Sequence, residues 1–404
     1  MNKIPEINID DFNYDLPDER IAQYPSRERD GSKMLIYNKG IVSGDLFRNI
    51  VSYLPADSLM VFNNTRVIRA RIIFRKKTGA KIEVFCLEPL SPSEYQQSFS
   101  SGSPVEWKCI IGNLKKWKNN SITCYFAVKD KHYSLSATKT KTEGEAWRIL
   151  FSWDAPDMSF GEVIEATGHI PLPPYVKRED NDEDYIRYQT IYSQINGSVA
   201  APTAGFHFTE TILSQIREKG ISNVDLTLHI GAGTFRPVKT RDLTHHEMHC
   251  EHFYINRDVV ETLLSPHGKV VAVGTTSVRA LESLYWIGVQ LICKPDHKSN
   301  EFFVDQWEPY LYEKEYSLKE ALLKILNFMN ERNTGSISAS TKIMIVPGYK
   351  FRVINAIITN FHMPGSTLLL LVAAWTGNDW KRIYRNAMDN GFRFLSYGDS
   401  SLLL

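Results

Sequence analysis

Nowhere in this sequence do apolar residues run far enough to cross a bilayer. The longest run, Leu368 to Trp375, spans eight residues, against roughly 20 for a spanning helix. It is expected to form a buried helix. Cysteine is sparse: Cys86, Cys109, Cys124, Cys250 and Cys293 are odd in number and form no C-x-x-C pair. A disulfide framework or zinc knuckle is therefore not expected. The first fifteen residues are polar and acidic without an apolar stretch, so no secretory leader is expected there and the cytoplasm is the expected compartment. Neither sign of charge dominates: 47 Lys and Arg face 46 Asp and Glu, for a net charge of +1. What remains is an ordinary globular composition, long enough at 404 residues for two or three domains.

The even balance hides an asymmetry. Residues 67–155 carry 15 Lys and Arg against 8 Asp and Glu, while the rest of the chain carries 32 against 38. A basic module on a mildly acidic body is a pattern found in nucleic-acid binders, and a solubilised surface is the plainer alternative. The same segment has its own texture. Short runs rich in β-branched and aromatic residues ("KIEVFCLEPL", "EWKCIIG", "SITCYFAV", "EAWRILFSW") are separated by polar, Gly- and Ser-rich stretches such as "SPSEYQQSFSSGSP" and "TKTKTEGE". Such spacing predicts a small antiparallel sheet or barrel.

After about Pro156, strands alternate with helices. Thr209 can cap a helix with Ile212, Leu213 and Ile216 on one face and Gly220 beyond its end. "VDLTLHIG" alternates strictly, with Val224, Leu226, Leu228 and Ile230 on one face and Asp225, Thr227 and His229 on the other. "KVVAVG" reads as a buried strand running into a helix that Thr275, Thr276 or Ser277 can cap. "KIMIVPGY" and "AIITNFHMPGSTLLLLVAAW" repeat the theme. The expected fold is an α/β body with a mixed sheet (residues 1–66 and 156–404) and an inserted basic β-barrel domain (67–155). Ligands are expected beyond the carboxyl ends of the strands.

Polar clusters fall at those ends. "SVAAPTAGFHFT" offers a bare backbone at Pro202, Thr203 and Gly205, beside His207, which can titrate near neutrality. "LHIGAGTFRP" places His229, Gly231, Gly233, Thr234 and Arg236 after a strand. It is not G-x-G-x-x-G, but it suits an anion or a ribose. Thr275, Thr276 and Ser277 at a helix N-terminus suit a carboxylate or phosphate, or simple capping. "HHEMHCEH" gathers His245, His246, His249 and His252. Its spacing misses H-E-x-x-H, so Glu247, His249 and Glu251 are candidates for acid–base work rather than a metal site, with a solvated face as the rival. Tyr397 and Asp399 in "SYGDSS" could meet a cation. Lys115, Lys116 and Lys118 around Trp117 offer cations and a stacking ring to RNA.

Taken together, "FNYDLPDERIAQYP", "VFNNTRVIRAR", "GHIPLPPY", "GSVAAPTAGFHFT", "TLHIGAGTFRPV", "HEMHCE", "VGTTSVRALES", "TNFHMPGSTLL" and "FRFLSYGD" resemble the S-adenosylmethionine:tRNA ribosyltransferase-isomerase family over nearly the whole chain. The resemblance implies transfer and isomerisation of the ribosyl part of S-adenosylmethionine onto 7-aminomethyl-7-deazaguanine at the tRNA wobble position. The product is epoxyqueuosine, an intermediate on the way to queuosine, with adenine and methionine released. It implies S-adenosylmethionine as co-substrate, no metal or tightly bound cofactor, tRNA (its anticodon stem-loop) as partner, and a monomer without an obligate protein partner. It also adds Arg66 as an RNA contact and Arg279, Asn360 and His362 as substrate contacts. The chain departs from the family pattern at Asn64, Arg69, Cys250, Asn355 and Gly365. A divergent relative with another RNA or nucleoside substrate and a non-catalytic RNA-binding protein are the alternatives.

Overall fold

The structure, a computed structural model, describes residues 4–76, 78–231, 238, 240–295 and 297–404. Two sheets organise it. The larger is a mixed sheet of ten strands, in the order Glu301–Val304, Ser336–Thr341, Glu251–Asn256, Ser222–His229, Leu59–Asn63, Val270–Val273, Ala356–Asn360, Ser400–Leu403, Lys33–Asn38 and Ile41–Leu46. Its central four strands, from Ser222–His229 to Ala356–Asn360, are mutually parallel. Both faces are covered, as a parallel core requires. Leu59, Val61, Val270, Ala272 and Ile357 point into one core, beneath the helices Thr275–Cys293 and Leu318–Glu331. Met60, Phe62, Val271, Val273 and Ile358 point into another, against helix Glu210–Glu218. That helix starts as expected, with Thr209 accepting from the Ile212 amide.

The second sheet has seven antiparallel strands, in the order Gly168–His169, Arg71–Arg75, Lys81–Ser91, Val105–Gly112, Ala146–Trp153, Lys131–Glu143 and Ser121–Val128. It curls around its own core of Val84, Trp107, Leu135, Ile149 and Phe151, and its hydrogen-bonded order runs from edge to edge. Phe160, Val163 and Ile164 of helix Phe160–Thr167 also pack into this core.

Several local expectations change. "TKTKTE" is not a spacer but the end of the thirteen-residue strand Lys131–Glu143, because its partner Ala146–Trp153 satisfies its backbone whatever its side chains. The apolar run at Leu368 does form a helix, Thr367–Thr376. "KIMIVPGY" is neither strand nor helix; Val346 and Gly348 lie in an extended segment and a turn. Among the described residues no helix is long and apolar enough to cross a membrane.

Candidate active site

The four parallel strands end along one edge of the large sheet, and two cavities open there. Gly274, at φ +91, lets strand Val270–Val273 turn directly into helix Thr275–Cys293, a conformation that a side chain would strain. None of the expected caps operates. The N-cap is Gly274, no side chain bonds the first amides, and Ser277 Oγ instead donates to the Val273 carbonyl at 2.8 Å. Thr275 and Thr276 face a cavity of about 130 Å³. Its other walls are the Ala200–Ala204 backbone with Pro202 and Thr203, the Thr359–Met363 turn, and Tyr175 with Ser396. Asn360 and His362 both line it, and His362 Nε2 lies 3.0 Å from Thr359 Oγ1.

Gly205 and His207 do not line this cavity. A Cβ on Gly205 would fall 1.9 Å from Tyr192 Oη, so what approaches this glycine is the chain's own tyrosine. His207 lies one layer behind, its Nδ1 2.7 Å from Ser32 Oγ and its Nε2 3.4 Å from Asn360 Nδ2. The Asn360 amide nitrogen also donates to the Leu395 carbonyl at 3.2 Å, while its Oδ1 accepts from Thr203 at 3.3 Å. With Asn360 donating to Nε2, the proton of a neutral His207 sits on Nδ1 and points to Ser32. His207 therefore fixes Asn360 at the cavity wall.

His229 ends its strand at the second, larger cavity, of about 520 Å³, between the large sheet and the outward face of the antiparallel sheet. Alternation in Val105–Gly112 sends Trp107 and Cys109 inward and leaves Lys108 and Ile110 on the cavity wall, while in Lys81–Ser91 a register shift between Cys86 and Glu88 takes Glu88 off the inward face of Val84 and Cys86 and onto the same wall. His229 is 3% exposed and stacks on Tyr95, with ring centroids 4.2 Å apart and planes 12° apart. Its Nδ1 has no hydrogen-bond partner among the described residues. A Cβ on Gly197 would sit 2.6 Å from this ring, so only glycine admits the stack. Tyr95 was hidden in a stretch that reads as a spacer; the one signal for it is the aromatic pair Tyr95 and Phe99, four residues apart, which buries a face of the short helix Tyr95–Ser100.

Burial pushes the imidazoles of His229, His207 and His362 down to about 3, assisted by His252 at His229 and by Arg393 at His207. Each is neutral in the folded state, whereas the unfolded chain binds a proton below about pH 6.5. Between pH 6.5 and 3 the unfolded state therefore holds more protons, and stability falls with pH by up to about 1.4 kcal/mol per pH unit for each histidine. Urea unfolding should accordingly show a lower midpoint at pH 5 than at pH 7.5; equal midpoints would mean that these rings are solvated.

The remaining candidates disperse. Glu251, a candidate acid–base group, is buried in an ion pair with Arg279, far from solvent. Two further Arg279 nitrogens, Nε and Nη2, have no partner among the described residues. Glu247 is exposed, bonds Lys342 at 2.9 Å and lines the second cavity with Gly231 and His249. The stretch from His245 to His249 is a short turn and extended chain, not a helix, so His245 and His249 do not share a helical face. Among the described residues no group of three or more His, Cys, Asp and Glu could hold a metal ion. Tyr397 donates to Asp184, itself held by Arg178, and Asp399 accepts from the amides of Lys33 and Arg393. Both carboxylates are occupied in fastening the chain, so the expected cation site is not assembled there. Gly233, Thr234 and Arg236 lie outside the described residues. Arg66, Lys115, Lys116 and Lys118 are exposed, but Trp117 is not available for stacking. It is 2% exposed and packed in the antiparallel core beneath Lys139.

Three of the five departures from the family pattern have local structural partners. Arg69 pairs with Glu165 and stacks on Tyr185, Asn64 accepts from Thr227, and Asn355 accepts from the Val270 amide.

A family model described as "Queuosine biosynthesis protein" matches residues 9–403. A solved structure, S-adenosylmethionine tRNA ribosyltransferase from Thermotoga maritima, is 25% identical, covers 97% of this chain and 99% of its own, and has a TM-score of 0.45. The S-adenosylmethionine:tRNA ribosyltransferase-isomerase of Treponema denticola is 37% identical over 401 residues, covering 98% of this chain and 99% of its own. The proteins of the same name from Sulfurihydrogenibium sp. and Citrifermentans bemidjiense are each 35% identical over 405 residues, again 98% of this chain. With the match running from one end of the mixed sheet to the other, the chain belongs to the S-adenosylmethionine:tRNA ribosyltransferase-isomerase family of queuosine biosynthesis.

Proposed function

We propose that this chain transfers the ribosyl moiety of S-adenosylmethionine to the amine of 7-aminomethyl-7-deazaguanine at the tRNA wobble position and isomerises it, giving epoxyqueuosine with loss of adenine and methionine. One observation carries the reading beyond family membership. A cavity walled by threonine hydroxyls and a helix N-terminus without a side-chain cap adjoins a buried imidazole with an unpartnered nitrogen. The sulfonium of S-adenosylmethionine acidifies the C5′ hydrogens, so a positioned base of modest strength suffices to begin the rearrangement. The activation resides in the co-substrate, and the reaction calls for no tightly bound cofactor. In this account His229 is the acid–base group, while His207 positions Asn360. Residues 1–66 and 156–404 form the catalytic body and residues 67–155 an inserted module. The tRNA partner is engaged through its anticodon stem-loop, in the cytoplasm. Purified protein given S-adenosylmethionine and tRNA bearing the amine should release adenine and methionine one for one with loss of the amine nucleoside. Nucleoside consumption without adenine release would refute the reading.

The helix N-terminus and its threonines suit the methionine carboxylate or the ribose hydroxyls. Thr276→Val removes one hydroxyl at nearly constant shape. It should raise the Michaelis constant for S-adenosylmethionine by roughly tenfold, the value of a hydrogen bond to a charged group, with tRNA binding unchanged. An unaltered constant would reduce Thr276 to a packing role.

Lys115, Lys116 and Lys118 lie together on the exposed turn after strand Val105–Gly112, and they are assigned to the RNA backbone. Changing all three to glutamate should weaken tRNA binding and flatten its salt dependence, since fewer counterions are released. Wild-type affinity at every salt concentration would show that the turn only keeps the module soluble.

A further inference from the structure

Between the antiparallel sheet and the body runs a groove of about 1080 Å³, which shares no lining residue with either cavity above. A pocket for one small molecule holds roughly 300–1,000 Å³, so the size of the groove suits a segment of polymer. One side is the hairpin joining strands Ser121–Val128 and Lys131–Glu143, with helix Phe160–Thr167. The other is the paired strands Thr65–Val67 and Ile195–Ser198. Five charged side chains line it. Glu165 is cancelled by Arg69 at 2.8 Å, and Glu162 is turned back onto the Ser159 amide and hydroxyl, both at 2.8 Å. Arg66, Lys129 and Lys131 are exposed and have no ion-pair partner among the described residues. Asp130, between the two lysines at the turn, is not on the wall. The positive excess therefore survives the pairing: three cations face one carboxylate that is occupied by its own helix cap, and an anionic strand is attracted.

Resting on the function proposed above, we propose that this groove takes the unpaired loop of the tRNA, with its phosphates on Arg66, Lys129 and Lys131 and one base on the ring of Tyr133. Tyr133 is half-buried in the wall beside Lys131. Cations and a ring thus occur together, the combination that grips single-stranded RNA, and which the buried Trp117 cannot supply. The side-chain amides of Gln96, Gln194 and Asn196 add donors and acceptors for base edges. The groove also leads inward to the active site. Gln96 follows Tyr95 and Asn196 precedes Gly197, the two residues that pack directly on His229. The Lys115–Lys118 turn lies at the other end of the eight-residue strand Ser121–Val128, roughly 25 Å away, which leaves it for the duplex stem.

The test is equilibrium binding of an anticodon stem-loop, and of the same stem without its loop, over a series of salt concentrations. Binding is read without turnover, so it stands apart from the ribosyl-transfer assay, which reports on the proposed function itself. The Arg66→Gln/Lys129→Gln/Lys131→Gln triple variant should weaken the stem-loop by roughly tenfold or more. Its log–log salt slope should flatten by about 2, at about 0.7 for each single-stranded phosphate contact, with the loopless stem barely affected. The urea midpoint of this variant should not move, since all three side chains are exposed. Tyr133→Ala should weaken the stem-loop by roughly tenfold, the scale of one lost base stack, whereas Tyr133→Phe, which keeps the ring, should bind as wild type does. Wild-type affinity and salt slope in the triple variant, or an equal loss for the stem-loop and the loopless stem, would overturn the assignment.

Discussion

Replacing His229 by alanine should lower turnover by roughly 10²–10⁴, the usual contribution of a positioned acid or base, with affinity for S-adenosylmethionine retained. The ring ends a core strand, is clamped flat on Tyr95, and has an unpartnered Nδ1. A buried polar atom left without a bond costs about 1–3 kcal/mol, and the fold bears that cost at the wall of a cavity. Burial holds the imidazole at about 3, so the ring is unprotonated at every physiological pH and acts through its position rather than through basicity. The effect of the substitution should therefore be the same at pH 6 and pH 8, and no acid limb of the rate profile in that interval should vanish with it. His229→Gln keeps a hydrogen-bonding side chain but cannot take a proton, and should be nearly as slow. Near-normal turnover in both variants would take His229 out of the chemistry.

Glu251→Gln should destabilise the protein by about 3–5 kcal/mol, the cost of breaking a buried ion pair and leaving one charge alone. Glu251 and Arg279 are both buried, one at the start of strand Glu251–Asn256 and the other just past the first turn of helix Thr275–Cys293. The pair ties that helix to the sheet directly behind Thr275 and Thr276. The amide keeps the shape of the carboxylate but not its charge, so the loss should appear in the urea midpoint. Pairing Glu251→Leu with Arg279→Met removes both charges and should recover much of the stability, because burying two ions gains little over burying two apolar groups. An unchanged midpoint accompanied by lost turnover would return Glu251 to the chemistry.

Local signals in the sequence carried far. The Thr209 cap, the alternation through Leu226, Leu228 and Ile230, and the strand–glycine–helix passage at Gly274 all follow from residue chemistry within one element. What stayed hidden is non-local. Ser400–Leu403 pairs with Lys33–Asn38 across nearly the whole chain, and no short-range pattern shows which distant strand will take which edge. The site followed the same rule. His229, Thr203, Thr276, Asn360 and His362 sit where strand ends predicted a cleft. Tyr95 comes from the short helix Tyr95–Ser100 that packs on the antiparallel sheet, and only the packing of that part of the chain against the body brings it to His229. Trp117 and Glu251 misled for one reason: an aromatic between lysines and a carboxylate between histidines look exposed in sequence, and the fold turns both inward.

The most direct measurement follows the sugar. S-adenosylmethionine labelled with ¹³C at every ribose carbon is incubated with the protein and tRNA bearing 7-aminomethyl-7-deazaguanine, and the digested tRNA is analysed by mass spectrometry. The account predicts that all of the ribose label enters the wobble nucleoside as epoxyqueuosine, with unlabelled adenine and methionine in equal amounts. Label that remains on a free sugar or on 5′-methylthioadenosine, with the amine nucleoside unchanged, would contradict it.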